Sequence, residues 1–120
     1  RVLTPITIDD ARENAGTLLD ENPTAVFCDD DVIGAGMYLA ARERGLRIPD
    51  DLSVVGFDDM EFARVLEPPL TTVALDADLL GSTSFELLQV QMNGTRTRKR
   101  VVLPADLLVR GSTARYRDGR

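Results

Sequence analysis

The 120-residue chain contains no histidine, one cysteine, and a single lysine, Lys99, among its 14 basic residues. Each shortage removes a class of chemistry. Without histidine, neither a Ser-His-Asp nor a Cys-His nucleophile system can be assembled within these residues. There is no His or multi-Cys metal site either, so neither a metal nor a cofactor is expected. A hydrolytic mechanism would have to rest on carboxylates alone. Cys28 cannot form an intramolecular disulfide, which fits a reducing, cytoplasmic compartment. It sits in an apolar strand-like run, in the role of a small buried hydrophobe. No run approaches the roughly 20 apolar residues of a membrane span, and no membrane partner is expected. The net charge of -6 is the wrong sign for holding nucleic acid, because phosphate binding needs a basic face. The one local exception, Arg96, Arg98, Lys99 and Arg100, reads as a solvated loop after Asn93-Gly94. The opening Arg1-Val2-Leu3-Thr4-Pro5 has no initiator Met and no signal-type segment, and reads as the abrupt start of a fragment.

What is present alternates between two periods. Thr7-Ile8-Asp9-Asp10 reads as a helix start with Thr7 as N-cap. Ala11, Ala15, Leu18 and Leu19 recur at helical spacing until Asn22-Pro23 stops the run. Thr24 to Cys28 is short, apolar and partly β-branched, as a buried strand is. Asp29-Asp30-Asp31 follows, then an apolar helix from Val32 that ends at Gly45. The unit repeats: Ile48 to Asp51 is a turn, and Leu52 to Phe57 is a second buried-type strand ending in Asp58-Asp59. Phe62 to Leu66 reads as a short helix before Pro68-Pro69, and Leu70 to Leu75 as a third strand. A long helix then runs from about Asp76 to Met92, with Leu80, Ser84, Leu87 and Leu88 on one face. Val101 to Leu103 and Leu107 to Val109 flank Pro104, which predicts two short strands rather than one. Only the last few residues read as disordered.

Apolar strands alternating with helices predict an α/β fold, a mainly parallel sheet flanked by helices on both faces. Ligands of such sheets sit beyond the carboxyl ends of the strands. Two strands here end directly in acids, so neighbouring strands would bring a carboxylate from each to one crevice. Asp30 and Asp58 read either as ligand contacts, accepting hydrogen bonds from hydroxyls or amines, or as caps of the helices that follow. Asp31, just before Val32, is well explained as a cap. A Mg²⁺-binding acid cluster for phosphotransfer is the remote alternative, because that chemistry wants a lysine at the end of a later strand and Lys99 lies in a polar loop-like stretch.

Four stretches resemble a known family. Pro23 to Gly36 looks like the strand, Asn-Asp, helix segment of LacI/GalR transcriptional regulators. Arg44 to Asp59, with Ile48-Pro49-Asp50-Asp51 and Gly56-Phe57-Asp58-Asp59, is similar to that family's most recognisable stretch. Pro68-Pro69-Leu70-Thr71-Thr72-Val73 and Leu103-Pro104 through Arg110-Gly111-Ser112-Thr113 follow in order, so that the resemblance covers about Thr7 to Ala114. It implies a type I periplasmic-binding-protein-like fold, of which the chain, 1–120, is the C-terminal portion of an effector-binding and dimerisation domain. Residues 71–100 would cross to the other lobe and 101–113 return. Asp58 matches the family's effector-contacting acid. Asp30 falls where many members have Asn, and an ionised Asp only accepts hydrogen bonds, so the effector's donor count should differ. Ala35, Tyr38, Leu39, Val65 and Leu66 match the family's dimer contact. The implied partners are a small-molecule effector (a sugar or related polyol or nucleoside), a second copy as homodimer, and operator DNA reached only through an N-terminal domain outside this chain. The implied function is repression without enzymatic activity. A periplasmic sugar-binding transport receptor is the alternative on the same fold.

Overall fold

The computed structural model describes residues 1–94 and 99–116. Arg96 and Arg98 of the basic stretch, and the tail from 117, lie outside the described residues. Helix α1, Ile8–Leu19, begins where Thr7 Oγ1 accepts the Asp10 N–H at 3.1 Å, and it buries Ala11, Ala15 and Leu19. Strand β1, Ala25–Phe27, leads into α2, Asp31–Glu43. Strand β2 is Ser53–Phe57, a 3-10 turn spans Glu61–Arg64, and β3 is Thr71–Leu75. Helix α3, Ala77–Met92, and strand β4, Ala105–Leu108, complete the order.

The sheet runs β1-β2-β3-β4. β1 and β2 are parallel with Val26 opposite Val54, and β2 and β3 are parallel with Gly56 opposite Thr72. By contacts the chain forms two compact units: Arg1–Ala74 together with the chain from Leu107, and Leu75–Asp106.

In the first unit, α1 and α2 pack on each other. Ala15, Leu19, Met37, Ala40 and Ala41 join Val26, Cys28, Leu52 and Val54 in one core. Gly36 is what lets the helices meet, since a Cβ there would lie 2.5 Å from Ala11 Cβ and 2.6 Å from Ile8 O. The sequence predicts a sheet covered on both faces, and here this unit departs from it. Val26, Val54 and Gly56 are buried, whereas Phe27 is 61% exposed and Val55 and Phe57 are half-buried. The intervening residues of β1 and β2 therefore alternate instead of being buried throughout.

In the second unit, α3 forms with Asp76 as its N-cap, accepting the Leu79 N–H at 2.9 Å, but none of its residues is buried. A segment this short cannot enclose the apolar residues it carries. The first of the two short C-terminal strands does not form. Val101 to Leu103 stays irregular, and the strand starts at Ala105, just after Pro104, whose missing N–H is tolerated at a strand's start.

Where β2, β3 and α2 meet, the core holds polar groups, and all are satisfied. Asp31 is fully buried; Oδ1 accepts the Thr72 hydroxyl at 2.6 Å and Oδ2 the Met60 N–H at 2.7 Å. Ser112, also fully buried, accepts the Thr71 N–H at 2.7 Å and donates to Val54 O at 2.6 Å. Among the described residues, no buried side-chain polar atom lacks a partner.

Gly56 makes room for Asp31. A Cβ at position 56 would stand 2.1 Å from Asp31 Oδ1 and 2.9 Å from Leu70 Cδ2, while one at Gly81 in α3 would touch nothing within 4 Å. The same substitution should therefore act with opposite signs. Gly56→Ala should destabilise the protein by about 1–3 kcal/mol through overpacking, and Gly81→Ala should stabilise it by about 0.5–1 kcal/mol through helix propensity. Denaturant midpoints of the two variants check this, and a neutral Gly56→Ala would contradict the packing at Asp31.

Candidate functional site

Because β1 and β2 are parallel and adjacent, their carboxyl ends open on the same side, and each ends in acids. The loop after β1 is Cys28-Asp29-Asp30. Asp30, in extended backbone, caps α2: Oδ1 accepts the Val32 N–H at 2.7 Å. The sequence offers capping for Asp30 as the alternative to a ligand contact and prefers Asp31 as the cap; the structure gives the cap to Asp30. Asp31 is the first residue of the helix, and its carboxylate accepts from Thr72 and Met60 instead of capping the helix. Asp30 is thus half-buried with one oxygen committed to the cap, and Asp29 is exposed.

Asp58 stands one residue beyond β2, exposed, with its N–H on Val73 O at 2.8 Å. Its carboxyl is raised above the ordinary aspartate value, first by burial and then by the charges of Asp30 and Asp31. The two sequence-predicted acids are therefore brought within electrostatic reach of one another. Asp59 beside it behaves oppositely. Burial pushes its carboxyl up, but the Arg110 and Arg64 guanidiniums outweigh this and hold it below the ordinary range.

Asp58 and Asp59 have φ of 100° and 52°. This is a left-handed backbone that costs a non-glycine residue roughly 1–2 kcal/mol and is best tolerated by Asn and Asp.

The arrangement can accept hydrogen bonds and hold positive or donor-rich groups. Cys28 adds no nucleophile: its thiol is pushed up to about 12, by burial first and then by Asp29 and Asp31, and stays protonated. Among the described residues, no three His, Cys, Asp or Glu side chains are disposed to hold a metal ion.

The residues expected at a dimer contact fall on one groove of about 610 Å³, lined by Ala35, Tyr38, Leu39, Val65, Leu66 and Pro68 among others. They differ in how much surface they offer. Val65 is 80% exposed, Tyr38 and Leu39 are half-buried, and Ala35 is already buried at 6%. Leu66 is half-buried and packs on the chain's own core. Tyr38 donates to Pro68 O at 2.8 Å, and burial pushes its phenol up to about 12. The sequence suggests that Gly34 and Gly36 leave backbone open for a partner helix. Instead Gly36 faces α1 and Gly34 faces Leu70, so both serve contacts inside the chain.

Sequence reasoning passed over Asp59, Thr72 and Arg110. The Arg110-Gly111-Ser112-Thr113 stretch was a visible signal, but only as a pattern. Its partners lie 39 to 58 residues away and cannot be read from spacing.

The raised Asp58 carboxyl has a stability consequence whose sign follows from linkage. The fold disfavours the ionised form, so Asp58 costs stability once pH rises through the aspartate range and costs nothing while it is protonated. Asn suits positive φ and carries no charge. Asp58→Asn should therefore add less than about 1 kcal/mol of stability at pH 7, since the site is open to water, seen as a higher melting temperature, with the gain vanishing near pH 3. Melting curves at the two pH values decide it; a loss at pH 7 would contradict the repulsion among these acids.

The matches with known proteins agree with this geometry. A domain model described as "Periplasmic binding protein-like domain" matches residues 3–113. The HTH-type transcriptional regulator DegA of Bacillus subtilis is 41% identical over 115 residues, 94% of this chain and 34% of that protein. The solved structure of a LacI family transcriptional regulator from Enterococcus faecium with bound ribose superposes with a TM-score of 0.81 at 30% identity, over 95% of this chain and 43% of that one. A lac repressor dimer bound to operator and an anti-inducer gives a TM-score of 0.80 at 35% identity, over 89% of this chain and 38% of that one. The chain spans about a third of the length of the curated regulator it matches. With the domain model over nearly its whole length, and with parallel strands ending in paired acids, the chain belongs to the periplasmic-binding-protein-like domains of the LacI/GalR family of transcriptional regulators.

Proposed function

We propose that the chain is the effector-sensing and dimerising part of a transcriptional repressor that works in the cytoplasm and catalyses no reaction. The observation that carries this reading is the pair Asp30 and Asp58 at adjacent strand ends, in a chain of this family. The pair accepts hydrogen bonds from the hydroxyls of a small molecule, a sugar or related polyol or nucleoside. The ribose held by the Enterococcus faecium relative supports the sugar class. Operator DNA is reached through an N-terminal helix-turn-helix domain outside this chain, consistent with the acidic charge of the chain itself. That the matched curated relative is a regulator favours this reading over a transport receptor.

The crevice is completed by other parts of the protein. Residues 71–100 cross to a second lobe and 101–113 return; the separate compactness of Leu75–Asp106 supports such a division, with its bounds four residues later at the start and six at the end. The unburied apolar residues of α3, Leu80 and Leu88 among them, are covered there. A groove of about 520 Å³ lined by Leu3, Leu18, Val26, Phe27 and Met37 borders β1, the edge strand, and fits an upstream strand. Effector binding changes lobe closure, and closure changes the spacing of two DNA-binding heads held by the dimer.

The effector role is tested in the full-length protein. A thermal-shift panel of mono- and disaccharides and nucleosides first identifies a binder. Asp58→Ala should then weaken that binder by about 1–3 kcal/mol, the cost of leaving a polar ligand group unpaired, with operator affinity in its absence little changed. An effector response that survives intact would reduce Asp58 to a backbone role.

The dimer is tested at Val65, because Leu66 also packs on its own core and its loss would confound association with folding. Val65→Asp should shift the protein toward monomer in sedimentation at micromolar concentration. Burial of a valine contributes roughly 1.5–3 kcal/mol per side. Operator affinity should fall with it, since one head reads only a half-site. An unchanged dimer would move the interface elsewhere.

A further inference from the structure

Two consecutive non-glycine residues in left-handed backbone persist only where surrounding contacts hold them, and residues 58–60 are held one by one. The Asp58 N–H is on Val73 O at 2.8 Å and the Met60 N–H on the buried Asp31 carboxylate at 2.7 Å. Between them, the Asp59 N–H meets Thr72 Oγ1 only at 3.4 Å, a weak contact. The firm hold on Asp59 is through its side chain: Oδ2 accepts Arg64 Nη2 at 2.8 Å, and Oδ1 accepts Arg110 Nη2.

The two arginines are not equivalent. Arg64 is 64% exposed, and its pair with Asp59 is screened by water. Arg110 is 17% exposed against an Asp59 that is 12% exposed, so this pair operates largely out of water, where a charge-assisted bond is stronger. Arg110 is itself fixed at two further points: Nη1 donates to Leu70 O at 3.0 Å, and its backbone N–H to Thr71 Oγ1 at 2.9 Å. A planar fork that binds a carbonyl with one nitrogen and a carboxylate with another sets the distance between them, as a lysine could not.

We propose that Arg110 is a positioning residue for Asp58, acting through Asp59: the Arg110–Asp59 pair imposes the left-handed turn that presents the Asp58 carboxylate at the crevice. Because Arg110 lies two residues past β4, the geometry of the effector carboxylate depends on where the chain is set down at the end of that strand. The consequence for effector binding rests on the function proposed above; the structural claim does not.

The test uses the full-length protein without effector. Arg110→Met and Asp59→Asn remove the pair from either side, and Arg64→Met removes only the exposed one. Asn tolerates positive φ as well as Asp does, so Asp59→Asn reports the lost charge pair and not a changed backbone preference. Crystal structures should show residue 58 leaving positive φ in the first two variants and keeping it in Arg64→Met. Hydrogen–deuterium exchange of the peptide covering 58–60 should speed up about tenfold in the same two, with α1, α2 and β2 unchanged. If Arg110→Met does not fold, Asp59→Asn carries both readouts. The proposal is overturned if φ and exchange at 58–60 match the parent in Asp59→Asn, or if exchange rises evenly over the whole unit, which would make the pair a general brace. Neither measurement involves an effector. A clamp that holds while Asp58→Ala leaves the effector response intact removes the effector role alone.

Discussion

Taking a carboxylate out of water costs several kcal/mol unless its oxygens are met by well-placed donors. Asp31 is fully buried, so the groups that meet it have little freedom. Thr72 must keep its hydroxyl on one oxygen and Met60 its N–H on the other, which fixes β3 and the turn after β2 relative to the first residue of α2. Residue 56 is suited to glycine, since a Cβ there would stand 2.1 Å from Oδ1 and force it to shift. Asp30, one residue earlier, is then left at the helix terminus to cap it. The acids at the strand ends divide their tasks accordingly: Asp31 holds the elements together, Asp30 ends the loop, Asp59 is neutralised by arginines, and Asp58 remains exposed with its carboxyl raised.

Much of this was legible in the sequence, and the misses have physical causes. Helix α1 and its Thr7 cap follow from a local pattern in which the signal and the bond that satisfies it lie within four residues. The ends of β1 and β2 are legible because apolar runs stop abruptly at acids. Which aspartate of three caps α2 is not, because consecutive residues differ by a rotation of the backbone, and the outcome depends on Thr72 lying 41 positions away. The assignment of Gly34 and Gly36 to a partner helix failed for a related reason. Small residues on a helix mark close approach, but sequence does not say to what: α1 lies against Gly36 and the Leu70 side chain against Gly34. The expectation of a sheet covered on both faces took runs such as Val54-Val55 as evidence of two-sided burial. Strands in a piece of a larger domain can carry the same composition with one face still open.

The groove bearing Tyr38, Leu39 and Val65 shows how one region serves two demands. Tyr38 ties α2 to the Pro68 carbonyl, while Val65, on the same groove, is left almost fully exposed. The segment between the 3-10 turn and β3 is thereby fixed from within the chain before any partner arrives. In the dimer proposed above, a surface held in this way would meet a second copy with little ordering left to do, which would lower the entropic cost of association.

Ser112 has a further consequence for the way the protein is made. It accepts from Thr71, donates to Val54 and takes the Val54 N–H on its own carbonyl, joining positions up to 58 residues apart. During synthesis β2 and β3 leave the ribosome long before it does, with the Thr71 amide and the Val54 backbone still facing an unfilled place. Contacts of such separation close late, after their loop entropy has been overcome. Until that closure, water meets the Thr71 amide and the Val54 backbone groups in place of Ser112. A chain that stopped just short of Ser112 would keep all four strands in sequence yet leave the Thr71 N–H and the Val54 N–H and C=O without the partner that satisfies them in the fold.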